Sequence, residues 1–275
     1  MSTTTVTSST TTTSSTTTYS ASGSTVTQYG FFFDQSRCVH CRSCTVACKN
    51  WNSLAPGSTK WLRLFEYESG VFPSVRITMQ WVPCYHCSKP VCIDAAAGAM
   101  FKEPKYGAVL IDPARATSGA LRDAWAACPY GSIVFDSDSV TATASKCTMC
   151  IDRLEQGLMP SCVMACGARA LDFGLLTDMQ KKYGSNSDLT DLPQSSQVSP
   201  SVVFKPIGNK PAPLVPYDAN AAMTLLQNRS PLPQVFQATA DLLSPPQPGE
   251  VGRYGLNLKP ATSTQVMAAT RNDNS

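Results

Sequence analysis

The chain has 275 residues, of which 15% are charged, and its net charge is +3. This length is sufficient for one or two domains with a hydrophobic core. The weak positive charge, with no dense row of lysine and arginine, argues against a nucleic-acid-binding surface. The sequence contains no run of about 18 apolar residues, so we predict no membrane span in this chain.

The N-terminal 28 residues include 21 serines or threonines and no charged residue. Such a segment has little apolar surface with which to offset the entropy lost on ordering. We predict a disordered tail over residues 1–28. The tail lacks the basic and apolar regions of a secretory signal peptide, and we expect no usual export signal in it.

Short strands and helices follow in a regular order. Alternating and β-branched residues predict strands at 29–34, 107–112 and 132–136, and a pair of strands at 60–70 and 75–82 that turns near Gly70. Helical composition is found at 120–128, at 147–157 with a stop at Gly157, and at 176–184. From Pro193 onward the chain holds 12 of its 20 prolines, which exclude a continuous helix or a central strand. We predict that 200–235 is an extended strap on a partner and that the chain is disordered from Pro245.

The cysteines form four groups, here called cassettes 1 to 4, and all twelve lie between residues 38 and 166. Cassette 1 has the spacing C-x2-C-x2-C-x3-C of bacterial ferredoxins, whose first three cysteines bind one cluster and whose fourth binds the other. Cassette 2 has the looser spacing C-x2-C-x4-C, and cassette 3 retains only its final cysteine, within ACPYG. The members are Cys38, Cys41, Cys44 and Cys48 in cassette 1, Cys84, Cys87 and Cys92 in cassette 2, Cys128 in cassette 3, and Cys147, Cys150, Cys162 and Cys166 in cassette 4.

Two other uses of cysteine fit this spacing poorly. A disulfide framework is typical of small secreted domains. Structural zinc sites use separate cysteine pairs rather than three cysteines at three-residue steps. The spacing therefore favours iron–sulfur clusters of the [4Fe–4S] type.

Exchange of the final cysteine between cassettes divides the twelve thiols into three complete sets. Cassettes 1 and 4 exchange with each other, and cassette 2 takes the cysteine of cassette 3. A fourth cluster would need ligands at Ala96, Ser118, Leu121 and Ala124, so we predict that it is absent. The predicted ligands are Cys38, Cys41, Cys44 and Cys166 for cluster 1, Cys147, Cys150, Cys162 and Cys48 for cluster 2, and Cys84, Cys87, Cys92 and Cys128 for cluster 3.

Other polar residues near the cassettes are given secondary roles. His40 and His86 lie inside cassettes whose clusters already have four cysteines, so we predict that they pack the loops or direct an N–H at a cluster sulfur. Lys146 and Arg153, which flank cassette 4, are expected to be solvated charges. We predict no catalytic residue in this chain.

These motifs resemble the iron–sulfur subunits of the dimethyl sulfoxide reductase family of molybdopterin oxidoreductases. The resemblance covers residues 29–210 and rests on YGFFFDQSRCVHCRSCTVACKNWN, PCYHCSKPVC, ACPYG, KCTMCIDRLEQG and ALDFG, and on PSVVFKP at 200–206. Most of these subunits hold four clusters, and the family implies that the cluster missing here is the distal one, which faces a membrane anchor and its quinone. A pattern of three clusters is similar to the small subunit of pyrogallol–phloroglucinol transhydroxylase.

The resemblance implies a non-catalytic subunit that relays single electrons through three [4Fe–4S] clusters to or from a large catalytic subunit carrying the molybdenum or tungsten pterin. A further redox partner is expected at the cluster 3 end. The alternatives are a largely structural subunit of a transhydroxylase-like enzyme and a free-standing polyferredoxin. The expected location is the cytoplasm, or outside it after export of the folded subunit with a partner that carries the signal.

The expected fold is α+β, with two interlocked ferredoxin-like units between flexible tails. We expect a cluster domain at 29–190, with 83–136 as the inserted second unit. The remaining residues, 191–275, are expected to form a proline-rich tail that first wraps a partner and then becomes disordered.

Overall fold

The computed structural model describes residues 26–69, 76–208 and 258–269, together with the single residues 218, 220, 221, 224 and 228. Most of both predicted tails and the predicted turn at Gly70 lie outside the described residues. Within the described part, the chain combines short helices with small sheets, so the expected mixture of α and β structure is confirmed.

A three-stranded sheet forms the centre of the structure. Strand β1 (Tyr29–Asp34) lies between β8 (Leu171–Leu175), to which it is antiparallel, and β9 (Val202–Lys205), to which it is parallel. Successive side chains of a strand point to opposite faces. Phe31 and Phe33 therefore pack into the main core, while Phe32 stacks on Tyr183 at the other face. The strand predicted at 29–34 is confirmed.

The remaining strands form two-stranded sheets. Strands β2 (Arg63–Ser69) and β3 (Arg76–Val82) pair in antiparallel register, as predicted. Strand β4 (Met100–Lys102) pairs with β5 (Val109–Ile111), and β6 (Val134–Phe135) pairs with β7 (Ala144–Ser145). β5 and β6 fall within the strands predicted at 107–112 and 132–136.

The helices are short and several of them pack in pairs. Helix α1 (Ser43–Trp51) contacts α5 (Ser161–Met164), α2 (Val91–Ala95) contacts α3 (Ala120–Ala127), and α6 (Leu176–Tyr183) covers the outer face of the central sheet. Helix α4 (Ile151–Leu154) is shorter than the helix predicted at 147–157. Met149 and Cys150 have φ values of 60° and 52°, so a right-handed helix can begin only after them. The 3₁₀ turns are Pro113–Arg115 and Ser195–Gln197.

The C-terminal half differs from the sequence expectation in two places. Within the range predicted to wrap a partner, β9 completes the chain's own central sheet. Within the range predicted to be disordered, residues 258–269 pack on the body and include helix α7 (Ser263–Ala269). The side chain of Leu258 is buried, and its carbonyl accepts a hydrogen bond of 2.7 Å from Arg63. These long-range contacts supply the stabilisation that local composition does not reveal.

A second, separate hydrophobic core lies between α2 and α3. Ala96, Leu121 and Ala124 are all 0% exposed and pack with Met100 and Ile133. These three residues are among the four positions at which a fourth cluster would need ligands. Apolar side chains fill the space between them. Within the described residues, no helix has both the length and the hydrophobicity that crossing a membrane requires.

Candidate functional site

The first group of thiols lines a cavity beside β1. Cys38, Cys41 and Cys44 lie there with Cys166, around about 330 Å³ of space that is partly open to solvent. Burial raises the pKa of Cys44 to about 12, and the nearby thiols of Cys38 and Cys166 add to this effect. The apolar wall of this cavity includes Phe33, Val39, Leu64, Trp81 and Leu171.

The second group lines another cavity. Its cysteines are Cys147, Cys150 and Cys162 of cassette 4 together with Cys48 of cassette 1. Burial raises the pKa of Cys48 to about 12, with a further contribution from the thiol of Cys150. Burial also raises the pKa of Cys162 well above its usual value, and Cys147 makes the largest contribution among the neighbouring thiols.

The third group brings the single cysteine of cassette 3 to cassette 2. Burial, followed by the thiols of Cys128 and Cys84, raises the pKa of Cys92 to about 12. Burial, Cys84 and Cys128 also raise the pKa of Cys87 well above its usual value. Thiols that influence one another's pKa lie within the range of direct electrostatic interaction.

Every cassette with a C-x2-C step makes the same backbone turn. The residue two positions after the first cysteine has a positive φ in each case: 53° at His40, 47° at His86 and 60° at Met149. This left-handed conformation is uncommon for residues other than glycine. It directs the backbone N–H at the preceding sulfur, with N···Sγ distances of 3.4 Å from His86 to Cys84 and 3.4 Å from Met149 to Cys147. The His40 N–H makes the corresponding hydrogen bond to Cys38.

Further donors reach the sulfurs from outside these turns. The backbone N–H of Ala170 lies 3.3 Å from Sγ of Cys166. The side-chain amide of Asn52 lies 3.7 Å from Sγ of Cys48. Hydrogen bonds of this kind stabilise a thiolate over a thiol and tune the potential of a bound iron–sulfur cluster.

The arrangement of the thiols does not fit disulfides or a single metal ion. All twelve cysteines are free thiols. No three histidine, cysteine, aspartate or glutamate side chains of the described residues converge closely enough to hold one ion. A tetrahedral zinc site needs thiolates about 2.3 Å from the metal. A multi-iron cluster fits better, because its irons would keep four sulfurs apart while all four line one cavity, as they do in the first two groups.

Three buried or half-buried cations surround the third group. Arg63 is 2% exposed and donates to the carbonyls of Tyr130 and Gly131 at 2.6 and 3.0 Å. Lys102 donates to the carbonyl of Cys87 at 2.7 Å, and Lys146 is 4% exposed and donates to the carbonyl of Val109. Among the described residues none of these three cations pairs with a carboxylate.

Thiols of the third group influence the pKa values of two of these cations. Burial lowers the pKa of Arg63 to about 10, and the thiol of Cys128 acts in the opposite direction. Burial lowers the pKa of Lys102 to about 8, against the influence of Cys87 and its neighbours. A buried cation without a carboxylate is costly unless an anion lies close to it. A bound cluster with four thiolates would be such an anion.

The two histidines have different environments. His40 lies 2.5 Å from Glu66 through Nδ1, and burial lowers its pKa more than Glu66 raises it. His86 is 0% exposed, accepts a hydrogen bond of 2.9 Å from the N–H of Val109 at Nδ1, and places Nε2 3.5 Å from Sγ of Cys147. His86 is therefore placed to donate a ring N–H to a cysteine sulfur, which is one of the two roles predicted for it.

Sequence reasoning misses most of the charge around the third group. The expectation of a solvated Lys146 is wrong, because the side chain is buried between β5 and cassette 4. Arg63 and Lys102 lie in ordinary strand sequences, and no local pattern distinguishes them from surface cations. Arg153 stacks over the ring of Trp51 at 4.3 Å and donates to the carbonyl of Met159 at 2.8 Å.

Comparison with known proteins gives the following matches. Residues 75–176 match the family described as a 4Fe-4S dicluster domain. One chain of the anaerobic dimethyl sulfoxide reductase of Escherichia coli is 35% identical over 192 residues, which is 66% of this chain and 91% of that protein. One subunit of the sulfite dehydrogenase of Allochromatium vinosum is 33% identical over 174 residues, covering 56% and 71% of the two proteins. Formate dehydrogenase 2 subunit beta of Nitratidesulfovibrio vulgaris is 32% identical over 171 residues, covering 54% and 77%.

Proposed function

Since the chain belongs to the family of iron–sulfur subunits that includes the matching chain of anaerobic dimethyl sulfoxide reductase, we propose that it is the electron-transfer subunit of a molybdenum or tungsten pterin oxidoreductase. The pterin and the substrate chemistry belong to a large partner subunit, and this chain is non-catalytic. Bound [4Fe–4S] clusters would supply transfer of one electron at a time.

We assign three clusters to the three groups of thiols. Cluster 1 is held by Cys38, Cys41, Cys44 and Cys166; cluster 2 by Cys147, Cys150, Cys162 and Cys48; and cluster 3 by Cys84, Cys87, Cys92 and Cys128. The observation that carries this assignment is the lining of two cavities, each by three cysteines of one cassette and one of another. The mutual pKa influence of the third group supports the remaining set.

The thiols would have to lose their protons when a cluster binds. A thiolate, not a thiol, is the ligand of a metal. Burial keeps thiols such as Cys44 and Cys92 protonated near neutral pH when nothing positive is bound. Irons would favour the thiolates, while the N–H donors and the cations near cluster 3 compensate the negative charge of the sulfurs.

We propose that the cluster domain, 29–190, contains two interlocked ferredoxin-like units, with 83–136 as the inserted one. The pairing of α1 with α5 and of α2 with α3 supports this division, because each pair belongs to one unit. We also propose that β9 adds to this domain, since it pairs with β1. Within the inserted unit the apolar core at Ala96, Leu121 and Ala124 occupies the place of a fourth cluster.

The cluster 1 end is the face we assign to the catalytic partner. Cys41 is exposed there, in contrast to the buried or half-buried thiols elsewhere. Val39 and Val46, both within cassette 1, are 67% and 64% exposed. An apolar rim around an accessible ligand would be covered when the large subunit binds. A further redox partner would meet the cluster 3 end.

Iron and acid-labile sulfide analysis of the anaerobically purified complex tests the cluster count. We expect about twelve irons for this chain, at four per cluster, in addition to those of the partner. About sixteen or about eight would contradict the assignment, which counts four per cluster. The variant Ser118→Ala, at a position without a ligand role, is the matched control and should keep the iron content of the wild type.

Two single substitutions test the exchange of ligands. Cys48→Ala should remove the low-temperature EPR signal of cluster 2, although Cys48 lies in the cassette that supplies cluster 1. Cys128→Ala should remove the signal of cluster 3 and leave the other two. If Cys48→Ala instead removed the cluster that is lost in Cys38→Ala, the pairing of cassettes 1 and 4 would be wrong.

A further inference from the structure

His86 connects two groups of thiols that the ligand assignment treats as separate clusters. Its backbone N–H lies 3.4 Å from Sγ of Cys84, in the third group. Its imidazole Nε2 lies 3.5 Å from Sγ of Cys147, in the second group.

The tautomer of His86 follows from its other ring contact. Nδ1 accepts a hydrogen bond of 2.9 Å from the backbone N–H of Val109, so Nδ1 carries a lone pair and no proton. In a neutral imidazole the proton must then be on Nε2. The Nε2–H is therefore the donor, and the sulfur of Cys147 is the acceptor.

The position of His86 is fixed from several sides. The side chain is 0% exposed. Its own carbonyl accepts hydrogen bonds from Ser201 at 3.0 Å and Gln28 at 3.3 Å. The carbonyl of Val109 is bound by the Lys146 ammonium, which anchors the residue that holds the ring. A donor held by this many contacts loses little conformational freedom when it binds the sulfur.

We propose that His86 is a positioning residue that raises the reduction potential of cluster 2. Its two hydrogen bonds also connect Cys147 of cluster 2 to Cys84 of cluster 3. A hydrogen bond to a ligand sulfur stabilises the reduced, more negative state of an iron–sulfur cluster, so it raises the potential. The same residue supplies a short route of bonds and two hydrogen bonds between the ligands Cys84 and Cys147. This inference rests on the proposed function.

His40 provides a matched control within the same chain. It occupies the equivalent position of cassette 1 and has the same left-handed backbone, with a φ of 53° against 47° at His86. Its imidazole nevertheless pairs with Glu66 rather than with a sulfur. Replacing His40 therefore repeats the chemical change and the backbone cost without removing a donor to a cluster.

The test is an EPR-monitored redox titration of the intact complex carrying His86→Asn, His86→Gln or His40→Gln. Cluster 2 is recognised as the signal that Cys48→Ala removes. We expect His86→Asn, whose amide is too short to reach Cys147, to lower the equilibrium constant for reduction of cluster 2 about tenfold, or about 59 mV for one electron. His86→Gln, which retains a donor near the position of Nε2, should recover most of this loss, and His40→Gln should leave cluster 2 unchanged.

The role of His86 is refuted if the iron content is full and the cluster 2 potential of His86→Asn equals that of the wild type. It is also refuted if His86→Asn and His40→Gln shift cluster 2 equally. Should the His86 variants fail to assemble, pulsed EPR of the wild-type complex labelled with ¹⁵N-histidine decides the question. A ¹⁵N coupling on reduced cluster 2 supports the proposal, and its absence overturns it. A wild-type complex without iron in this chain would instead overturn the proposed function.

Discussion

The substitution Leu121→Ala tests whether the space between α2 and α3 is a packed core. Leu121 is 0% exposed and lies where the spacing of the cassettes would place a ligand of a fourth cluster. Ala96 and Ala124, which have small side chains, pack around it with equally complete burial. Met100 and Ile133 complete the packing around it.

The expected loss of stability follows from this burial. Leu121→Ala removes three carbon atoms, and each buried CH₂ is worth about 0.8 kcal/mol, so the transfer contribution is about 2.4 kcal/mol. The cavity that remains raises the total to about 3–4 kcal/mol, within the range of about 2–5 kcal/mol for truncation of a buried leucine.

Hydrogen exchange measured by mass spectrometry on the intact complex detects this loss without requiring reversible unfolding. Since about 1.4 kcal/mol corresponds to a factor of ten, amides of α2 and α3 that exchange by opening of this unit should exchange about 140- to 700-fold faster. Val140→Ala is the control, because Val140 is 87% exposed and should show no change. Equal exchange in the two variants would refute the packed core.

Two further predictions concern buried or half-buried cations. Burial and two neighbouring cations lower the pKa of Lys60 to about 8, so the unfolded chain binds more protons between pH 8 and about 10.5 and stability rises with pH there. Lys60→Met should make the slope of the denaturant midpoint against pH less positive, because only the contribution of Lys60 is removed and that of Lys102 remains, whereas the exposed Lys181→Met should keep the wild-type slope; equal slopes in Lys60→Met and the wild type would contradict the prediction. Lys102, whose ammonium binds the carbonyl of Cys87 at 2.7 Å, should raise the potential of cluster 3. Lys102→Met should lower that potential by about 59 mV, or about 1.4 kcal/mol for one electron, and the fully exposed Lys105→Met should not; equal potentials in both variants would disprove the effect.

The sequence predicts the regular elements well where a local pattern specifies them. The strand at 29–34 and the paired strands before cassette 2 follow from β-prone residues, and the helix 176–183 ends at Gly184, whose φ of 93° requires glycine. The helix predicted at 147–157 is too long, because the turn that directs N–H groups at sulfur overrides the helical composition of its first residues. The spacing of the cysteine cassettes also predicts that Ala96, Leu121 and Ala124 lie close together.

The features that sequence does not predict depend on contacts between distant residues. Arg63 is buried because carbonyls at 130, 131 and 258 converge on its guanidinium. Nothing in the sequence around Arg63 or Leu258 indicates that these segments meet. For the same reason the order of residues 258–269 escapes prediction, since the composition of that segment alone is typical of a mobile tail.

Several costly features of this fold share one explanation under the proposed ligand assignment. His40, His86 and Met149 adopt a left-handed backbone that costs each of them about 1–2 kcal/mol. Arg63 and Lys146 are buried without carboxylate partners among the described residues, and thiols such as Cys44 and Cys92 have a pKa of about 12. Bound irons would favour the thiolates, and the anionic clusters would in turn accept the N–H groups and balance the buried cations. Binding energy at such sites is also folding energy, so under this assignment bound clusters would stabilise the strained turns and the buried charges.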